Sequence, residues 1–188
     1  RVNILLSGQA GDHVFHRNRT PLIAADAARE GLAFGDWLSV AIDTAHVSGR
    51  SIWSVIGDSI KYGWAHRPLD LHRLLHRDRR LIANPDASLF WDFAAHPWLD
   101  GWRKWPAGTA QRVALLLDAE HYNDANLLKA RLACVAPLYS QPIIEVSMRI
   151  PPRLMTYGGK DRALIRKAFQ AELPELVLKR STKGETTR

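Results

Sequence analysis

The sequence lacks most of the features that assign a protein quickly to a class. Cysteine occurs once, at Cys134, which excludes a disulfide framework and any zinc site built from cysteines. No apolar run approaches the roughly 20 residues that a membrane-spanning helix needs, because charged residues interrupt each candidate. No signal peptide is visible. We therefore expect a cytoplasmic protein without a membrane partner.

Two common phosphate-binding patterns are also missing. The pattern G-x-G-x-x-G does not occur. The pattern G-x-x-x-x-G-K-[ST] is only approached, because Gly158-Gly159-Lys160 ends like one while Leu154 stands where its first glycine should be. Any nucleotide site in this chain must be built differently.

The composition is that of an ordinary globular protein, with 46% hydrophobic and 24% charged residues in a chain of 188. This length suits one domain with a sizeable core. The chain starts inside an apolar segment, Val2–Leu6, and ends on a polar stretch, 181–188. We expect it to be a piece of a longer protein.

The net charge of +7 is concentrated toward the end of the chain. From Arg149 to Arg188 there are ten Lys and Arg residues against four Asp and Glu. Such a tail could bind nucleic acid, a membrane surface or a phosphorylated ligand, and charge alone does not choose among them. Glycine, proline and acids interrupt the positive run and no nucleic-acid-binding motif occurs, so we expect no nucleic-acid partner.

Apolar spacing predicts a mainly α-helical chain with one or two short parallel strands. Val2–Leu6 has the continuous apolar character of a buried parallel strand. Cys134 lies in an apolar stretch that we expect to be helical, with a buried, inert thiol. Helices are predicted from about 12, over 21–29, 37–45 and 52–60, from 68, from 109 to about 135 with a break, from 142 to before 151, and over 161–171.

Four tryptophans fall in the proline-rich connection from Asn84 to Gly108. This composition favours packing against the core over a stacking platform for nucleic-acid bases. The four residues are Trp91, Trp98, Trp102 and Trp105.

The first candidate site is the segment Leu5–Phe15. A strand that ends in small residues and turns into a helix presents unpaired backbone N–H groups, which together with the helix dipole make an anion site. Asp12 in that turn could hold a hard cation, because magnesium beside phosphate takes only one or two carboxylates. The alternative is that Asp12 only caps the helix.

The second candidate is the basic tail. Arg162 and Arg166 stand four apart on one predicted helix, and Arg180 and Lys183 follow Pro174. An arginine forks onto a phosphate, whereas a lysine in a glycine-adjacent loop reaches it as a mobile point charge. The alternative is a solvated basic face.

Five segments, in order along the chain, resemble asparagine synthetase-like enzymes. Their residue patterns are most similar to those of lasso-peptide cyclases. The segments are Leu5–Asp12 (LLSGQAGD), Tyr139–Glu145 (YSQPIIE), Gly158–Arg166 (GGKDRALIR), Leu173–Glu175 (LPE) and Arg180–Gly184 (RSTKG).

This resemblance implies the carboxyl-terminal portion of an α/β adenine-nucleotide-binding, PP-loop ATPase-like synthetase domain over residues 1–188. Its cofactors would be ATP and Mg²⁺. The reaction would be ATP-dependent amide or isopeptide bond formation through an acyl-adenylate, most simply the macrocyclisation of a precursor peptide. Carried over by position, Asp12 binds the metal, Lys183 and Gln9 are catalytic, and Ser7, Gly8, Gly11, Arg162 and Arg180 surround the nucleotide and pyrophosphate.

Gln9 departs from the family pattern. Asparagine synthetases have a glutamate there and β-lactam-forming relatives a tyrosine, whereas a neutral glutamine cannot act as a general base. This argues against asparagine synthase, which stays the alternative function. It would act on an aspartate-type carboxylate in place of the precursor peptide, with glutamine or ammonia as nitrogen donor.

Two parts of the family pattern, the S-G-G-x-D-S ATP loop and a glutaminase domain, are not in the sequence. We therefore expect the chain to be inactive alone. A leader-peptide-binding protein or a protease are expected partners. A non-catalytic helical module that binds peptide or nucleic acid is the alternative of another class.

Overall fold

The computed structural model describes residues 4–15, 20–71, 97–124 and 133–179. The strands are β1 (Ile4–Leu6) and β2 (Ala133–Val135). The α-helices are α1 (Gly11–Val14), α2 (Ile23–Arg29), α3 (Phe34–Ser48), α4 (Ile52–Asp58), α5 (Ala107–Asp124), α6 (Gln141–Arg149), α7 (Pro152–Met155), α8 (Ala163–Ala168) and α9 (Glu175–Lys179). A π-helical turn, Ser59–Trp64, continues α4, and 3-10 turns cover Pro97–Leu99, Trp102–Lys104, Pro137–Tyr139 and Tyr157–Gly159.

The strands β1 and β2 pair in parallel, with Leu5 opposite Cys134. The predicted short parallel strands are thus confirmed. The prediction that Val2–Leu6 is a buried strand was wrong for Ile4 to Leu6, which are exposed. Within the described residues the sheet has two strands, so that β1 pairs with β2 alone. The helical assignment of the segment around Cys134 was wrong, because a short apolar run fits a strand or a buried helix equally well. Pairing with β1 decides between the two structures. The helix that precedes β2, α5, spans Ala107–Asp124.

An alanine-rich helix, α2, lies at the centre of one core. Its small side chains allow close approach, so that Gly63 of the π-helical turn lies where an added Cβ would be 2.6 Å from the carbonyl oxygen of Ala25. The indole Nε1 of Trp37 donates a hydrogen bond to the carbonyl oxygen of Ala24 at 3.1 Å. The buried residues that form this Trp37 cluster are Ala24, Ala27, Ala28, Trp37, Ala41 and Val55.

A buried carboxylate, Asp26 of α2, fixes the beginning of α5. It accepts hydrogen bonds from the backbone N–H groups of Gly108 at 2.7 Å and Thr109 at 2.8 Å, and from the Thr109 hydroxyl at 3.0 Å. These donors belong to the first turn of α5, whose N–H groups have no partner within the helix. Burial raises the pKa of Asp26 to about 6 from its ordinary value of 3.8.

The tryptophan prediction is confirmed for two of the four residues. Trp102 and Trp105 pack against the core cluster that contains Leu22 and Ala110. Trp98 differs, because 42% of it is exposed and it faces a cavity. Trp91 lies outside the described residues.

Within the described part of the chain, no helix combines the length and the apolar character that crossing a bilayer requires.

Candidate functional site

The predicted strand-to-helix turn is present between β1 and α1. The Ser7 N–H continues the sheet by donating to the carbonyl oxygen of Val135 at 2.8 Å. The Ser7 hydroxyl then turns back and accepts the backbone N–H of Gln9 at 3.2 Å. The Gly11 N–H donates to the carbonyl oxygen of Gly8 at 3.3 Å, which closes the turn.

The two residues at the head of α1 carry constraints that the sequence did not reveal. Ala10 is buried and has left-handed backbone angles, with φ of 64° and ψ of −9°. This region is uncommon for a residue with a side chain. At Gly11 an added Cβ would lie 2.8 Å from the Leu138 Cδ1, so a glycine lets α1 approach the 3-10 turn after β2.

Asp12 connects the two candidate segments. Its Oδ1 lies 3.3 Å from Nη1 of Arg162, which is 150 residues further along the chain. About a third of each side chain is exposed, 36% for Asp12 and 32% for Arg162. The N-cap position of α1 belongs to Ala10, which makes no side-chain cap hydrogen bond. The capping interpretation of Asp12 is therefore not supported.

A glycine pair directs Arg162 toward Asp12. Gly158 and Gly159 have φ values of 70° and 67°. The N–H of Gly158 donates to Oδ2 of Asp43 in α3 at 2.9 Å. Beside it, Gly159 lies so close to His46 of α3 that an added Cβ would be 3.0 Å from the imidazole. Helix α3 thus holds the loop from which Arg162 extends.

Arg162 does not belong to the helix that was predicted for it. Its own φ is 53°, and α8 begins one residue later, at Ala163. The sequence pattern of 161–171 is helical, but the preceding glycine turn requires a reversal at Arg162 before the helix can start. The prediction that Arg162 and Arg166 share one helix was wrong for Arg162.

Asp161 binds both arginines. Its Oδ2 lies 3.6 Å from Nη2 of Arg162, and its Oδ1 lies 3.0 Å from Nη2 of Arg166. Arg166 also donates to the carbonyl oxygens of Val177 and Leu178 at 3.0 and 2.9 Å. Only 14% of its side chain is exposed. A solvated basic face does not describe this part of the tail, since the arginines alternate with carboxylates.

Asp12 supplies one carboxylate, partly exposed, to any metal ion that is held mainly by phosphate. Such ions take one or two protein carboxylates and keep several other oxygen ligands. A site made of protein ligands alone does not fit, since no group of three or more His, Cys, Asp or Glu residues in the described ranges could hold a metal ion.

A cavity of about 590 Å³ lies between α5, α6 and the turns before them. Polar groups reach it from α6, where Gln141 Nε2 donates to Oε1 of Glu145 at 2.7 Å. Its apolar lining consists of Trp98, Val113, Leu116, Tyr139, Ile144 and Met148. Leu116 and Ile144 also pack against Val14 of α1, so the cavity adjoins the helix that carries Asp12. Sequence reasoning missed it, although Gln141, Ile144, Glu145 and Met148 have the spacing of one helix face.

Two predicted site residues, Arg180 and Lys183, lie outside the described residues. Their roles stay predictions. Of the other predicted site residues, the structure places Ser7, Gly8, Gln9, Gly11 and Asp12 in one turn, and it brings Arg162 to that turn.

The model of a family described as asparagine synthase matches residues 1–187. No curated protein and no solved structure is significantly similar to the chain.

Proposed function

Since the chain belongs to the asparagine synthase family, we propose that it uses ATP to close an amide bond within a precursor peptide. Membership makes it, in general terms, an ATP-dependent carbon–nitrogen ligase. The proposal specifies the substrate, a peptide carboxylate and an amine of the same peptide. We also propose that its fold is part of a PP-loop ATPase-like synthetase domain.

The reaction has two steps. A carboxylate oxygen of the peptide attacks the α-phosphorus of ATP, so that an acyl–phosphate bond forms and pyrophosphate leaves. The peptide amine then attacks the acyl carbon, the carbon–oxygen bond to AMP breaks, and the amine proton passes to solvent. A bound magnesium ion would screen the phosphate charge in the first step, held by Asp12.

The ion pair between Asp12 and Arg162 carries this proposal. It brings the S-G-Q-A-G-D turn and the G-G-K-D-R segment together at 3.3 Å, although they lie at opposite ends of the chain. A nucleoside triphosphate needs a carboxylate to hold its metal ion and a guanidinium to bind its phosphate oxygens. Both side chains are accessible enough to exchange partners when the nucleotide binds.

The cavity beside α1 supports a peptide substrate over aspartate. Aspartate is small and charged, and an apolar lining offers it little. A volume of about 590 Å³ with aromatic and aliphatic walls suits a peptide segment with several apolar side chains. The neutral Gln9 agrees with this choice.

The test uses the complete protein in an ATP–pyrophosphate exchange assay with two carboxylate substrates. We expect exchange with a precursor peptide that carries an Asp or Glu side chain, and a product lighter by one water. Exchange with aspartate and formation of asparagine from glutamine or ammonia would establish the alternative instead. Salt-sensitive retention on DNA without stabilisation by nucleotide would overturn both ligase assignments.

Lys183 gives the sharpest single test of the mechanism. We expect Lys183→Ala to lower turnover by about 10² to 10³ while nucleotide binding changes little, because negative charge on the departing pyrophosphate grows during the reaction. Lys183→Arg should restore little activity, since a planar fork does not replace a point charge. A matched control is Lys179→Ala, because Lys179 is an exposed lysine paired with Glu175. Wild-type rates in Lys183→Ala would remove this lysine from the mechanism.

A further inference from the structure

A buried cation lies behind the helix that carries Asp12. Arg112 of α5 is 1% exposed, although arginine is almost never fully buried without a partner. No acidic side chain in the described ranges forms an ion pair with it. The burial of a charge is costly unless hydrogen bonds or a charged partner compensate it. The contacts of this guanidinium therefore need an explanation.

Backbone carbonyls take the place of a counter-ion. Nη2 of Arg112 donates to the carbonyl oxygens of Val14 at 3.1 Å and Ser147 at 2.9 Å. Nη1 donates to the carbonyl oxygen of Ile150 at 3.3 Å. The Nε atom is buried and has no hydrogen-bond partner. The guanidinium thus joins the last residue of α1 to the last turn of α6.

The charge persists at neutral pH. Burial lowers the pKa of Arg112 only to about 10. The carbonyl groups at the end of a helix such as α6 carry partial negative charge, which favours a cation there.

Helix α1 is too short to hold its own position. It has four residues, and a helix of that length has few internal hydrogen bonds. The carbonyl oxygen of Ala10 accepts the N–H groups of His13 and Val14, and that of Gly11 accepts the N–H of Phe15. Arg112 holds the other end of α1, two residues beyond Asp12, together with the packing of Val14 against Leu116 and Ile144. The same guanidinium fixes the end of α6, from which Gln141 and Glu145 reach the cavity.

We propose that Arg112 is a positioning residue, which sets the helix of Asp12 at a fixed distance from the helix that lines the cavity. The proposal rests on the proposed function, because it assigns the two helices to the nucleotide and the peptide. Arg112 itself touches neither substrate. Its effect on the reaction passes through α1 and α6.

The experiment compares Arg112→Met, Arg112→Lys and a control, Leu117→Ala, in the complete protein. Leu117 lies on the same helix and is buried in the cluster around Leu22, whereas Val14 of α1 belongs to another cluster. Loss of the Leu117 side chain should lower stability without moving α1. Hydrogen exchange of the backbone amides of 11–15 reports the position of α1 without any activity. Binding of Mn²⁺ with ATP, measured by electron paramagnetic resonance, reports the metal site.

We expect Arg112→Met to speed exchange at 11–15 and to weaken Mn²⁺ binding by about 10- to 100-fold, as loss of a ligand-orienting contact does. Arg112→Lys should restore part of both, because an ammonium can still reach one or two carbonyls. Leu117→Ala should leave both hydrogen exchange at 11–15 and Mn²⁺ binding unchanged, even where it lowers the melting temperature as much as Arg112→Met does.

Unchanged exchange at 11–15 in Arg112→Met would overturn the anchoring role. Faster exchange with unchanged Mn²⁺ binding would overturn the link to the site and leave Arg112 a stabilising residue. If the wild-type protein binds no Mn²⁺ with ATP, the proposed function fails and the positioning role fails with it. The exchange measurement would still show separately whether Arg112 holds α1.

Discussion

The Trp37 cluster and the face around Asp12 hold their residues in place by different means. In the Trp37 cluster every buried member is at most 6% exposed, and alanines allow the helices to touch. On the other face, β1 exposes 58% of Ile4 and 71% of Leu6, and the Asp12–Arg162 pair is one-third exposed. Packing fixes the first region, whereas the second combines the packing of Val14 with a few directional polar contacts on its exposed side. That difference leaves the groups of the site accessible to substrates.

The largest loss of stability should come from filling the closest contact of the Trp37 cluster. We expect Gly63→Ala to lower the free energy of unfolding by about 3 kcal/mol, because the new Cβ meets the Ala25 backbone and has no room. The matched control is Gly57→Ala in α4, where nothing lies within 4 Å. That change should raise stability by about 0.8 kcal/mol through helix propensity. Urea denaturation gives the free energy of unfolding of both variants. Equal changes in Gly63→Ala and Gly57→Ala would contradict the packing explanation.

The next largest loss of stability should come from Asp26 of α2, which connects the helix at the centre of the Trp37 cluster to α5. We expect Asp26→Ala to destabilise by about 2 kcal/mol at pH 7, because the Gly108 and Thr109 N–H groups lose their acceptor in a buried place.

The same carboxyl should make stability depend on pH. Its folded-state pKa of about 6 lies above the ordinary 3.8. Its stabilising contribution is therefore complete below pH 3.8 and is lost as the pH rises through about 6. Between pH 7 and pH 4 the wild type should gain up to about 3 kcal/mol relative to Asp26→Asn, at about 1.4 kcal/mol per pKa unit. Asp36→Asn, at an exposed position, is the control, and a difference independent of pH would contradict the assignment.

A smaller effect, of opposite sign, should come from the site. Ala10→Gly should raise the free energy of unfolding by about 0.5 kcal/mol, because relief of the left-handed strain exceeds the added freedom of the unfolded chain. The same change at Ala45, inside α3, should lower it by about 1 kcal/mol. Thermal melts of the two variants suffice. A loss of stability in Ala10→Gly would mean that its buried Cβ contributes more than the strain removes.

The smallest change in stability should come from the ion pair itself. We expect Arg162→Gln to alter the free energy of unfolding by about 0.5 kcal/mol or less, since the pair is partly exposed. Its effect on ATP–pyrophosphate exchange should nevertheless be larger than that of Gly57→Ala. Equal exchange rates in Arg162→Gln and the wild type would remove this arginine from the nucleotide site. A large loss of stability would show that this pair contributes more than a partly exposed ion pair usually does.

Local sequence patterns predicted the elements whose cause is local. The apolar run before Ser7 and the small residues after it predicted β1 and the turn into α1. Pro142 and the prolines at Pro151 and Pro152 predicted the limits of α6, which spans Gln141–Arg149. The order of the five motif segments predicted the family.

Contacts between distant residues decided the remainder. Cys134 lies in a strand only because β1 is beside it, and Arg162 leaves its predicted helix because a glycine turn docks on α3. The role of Asp26 at α5, the position of Arg112 at the end of α1, and the cavity beside α6 have no local signal. The hydrogen bonds of Asp26 and Arg112 join groups 35 or more residues apart. A sequence pattern reports the preference of a segment for helix, strand or turn, whereas the partner of a buried charge is chosen by the packing that brings distant segments together.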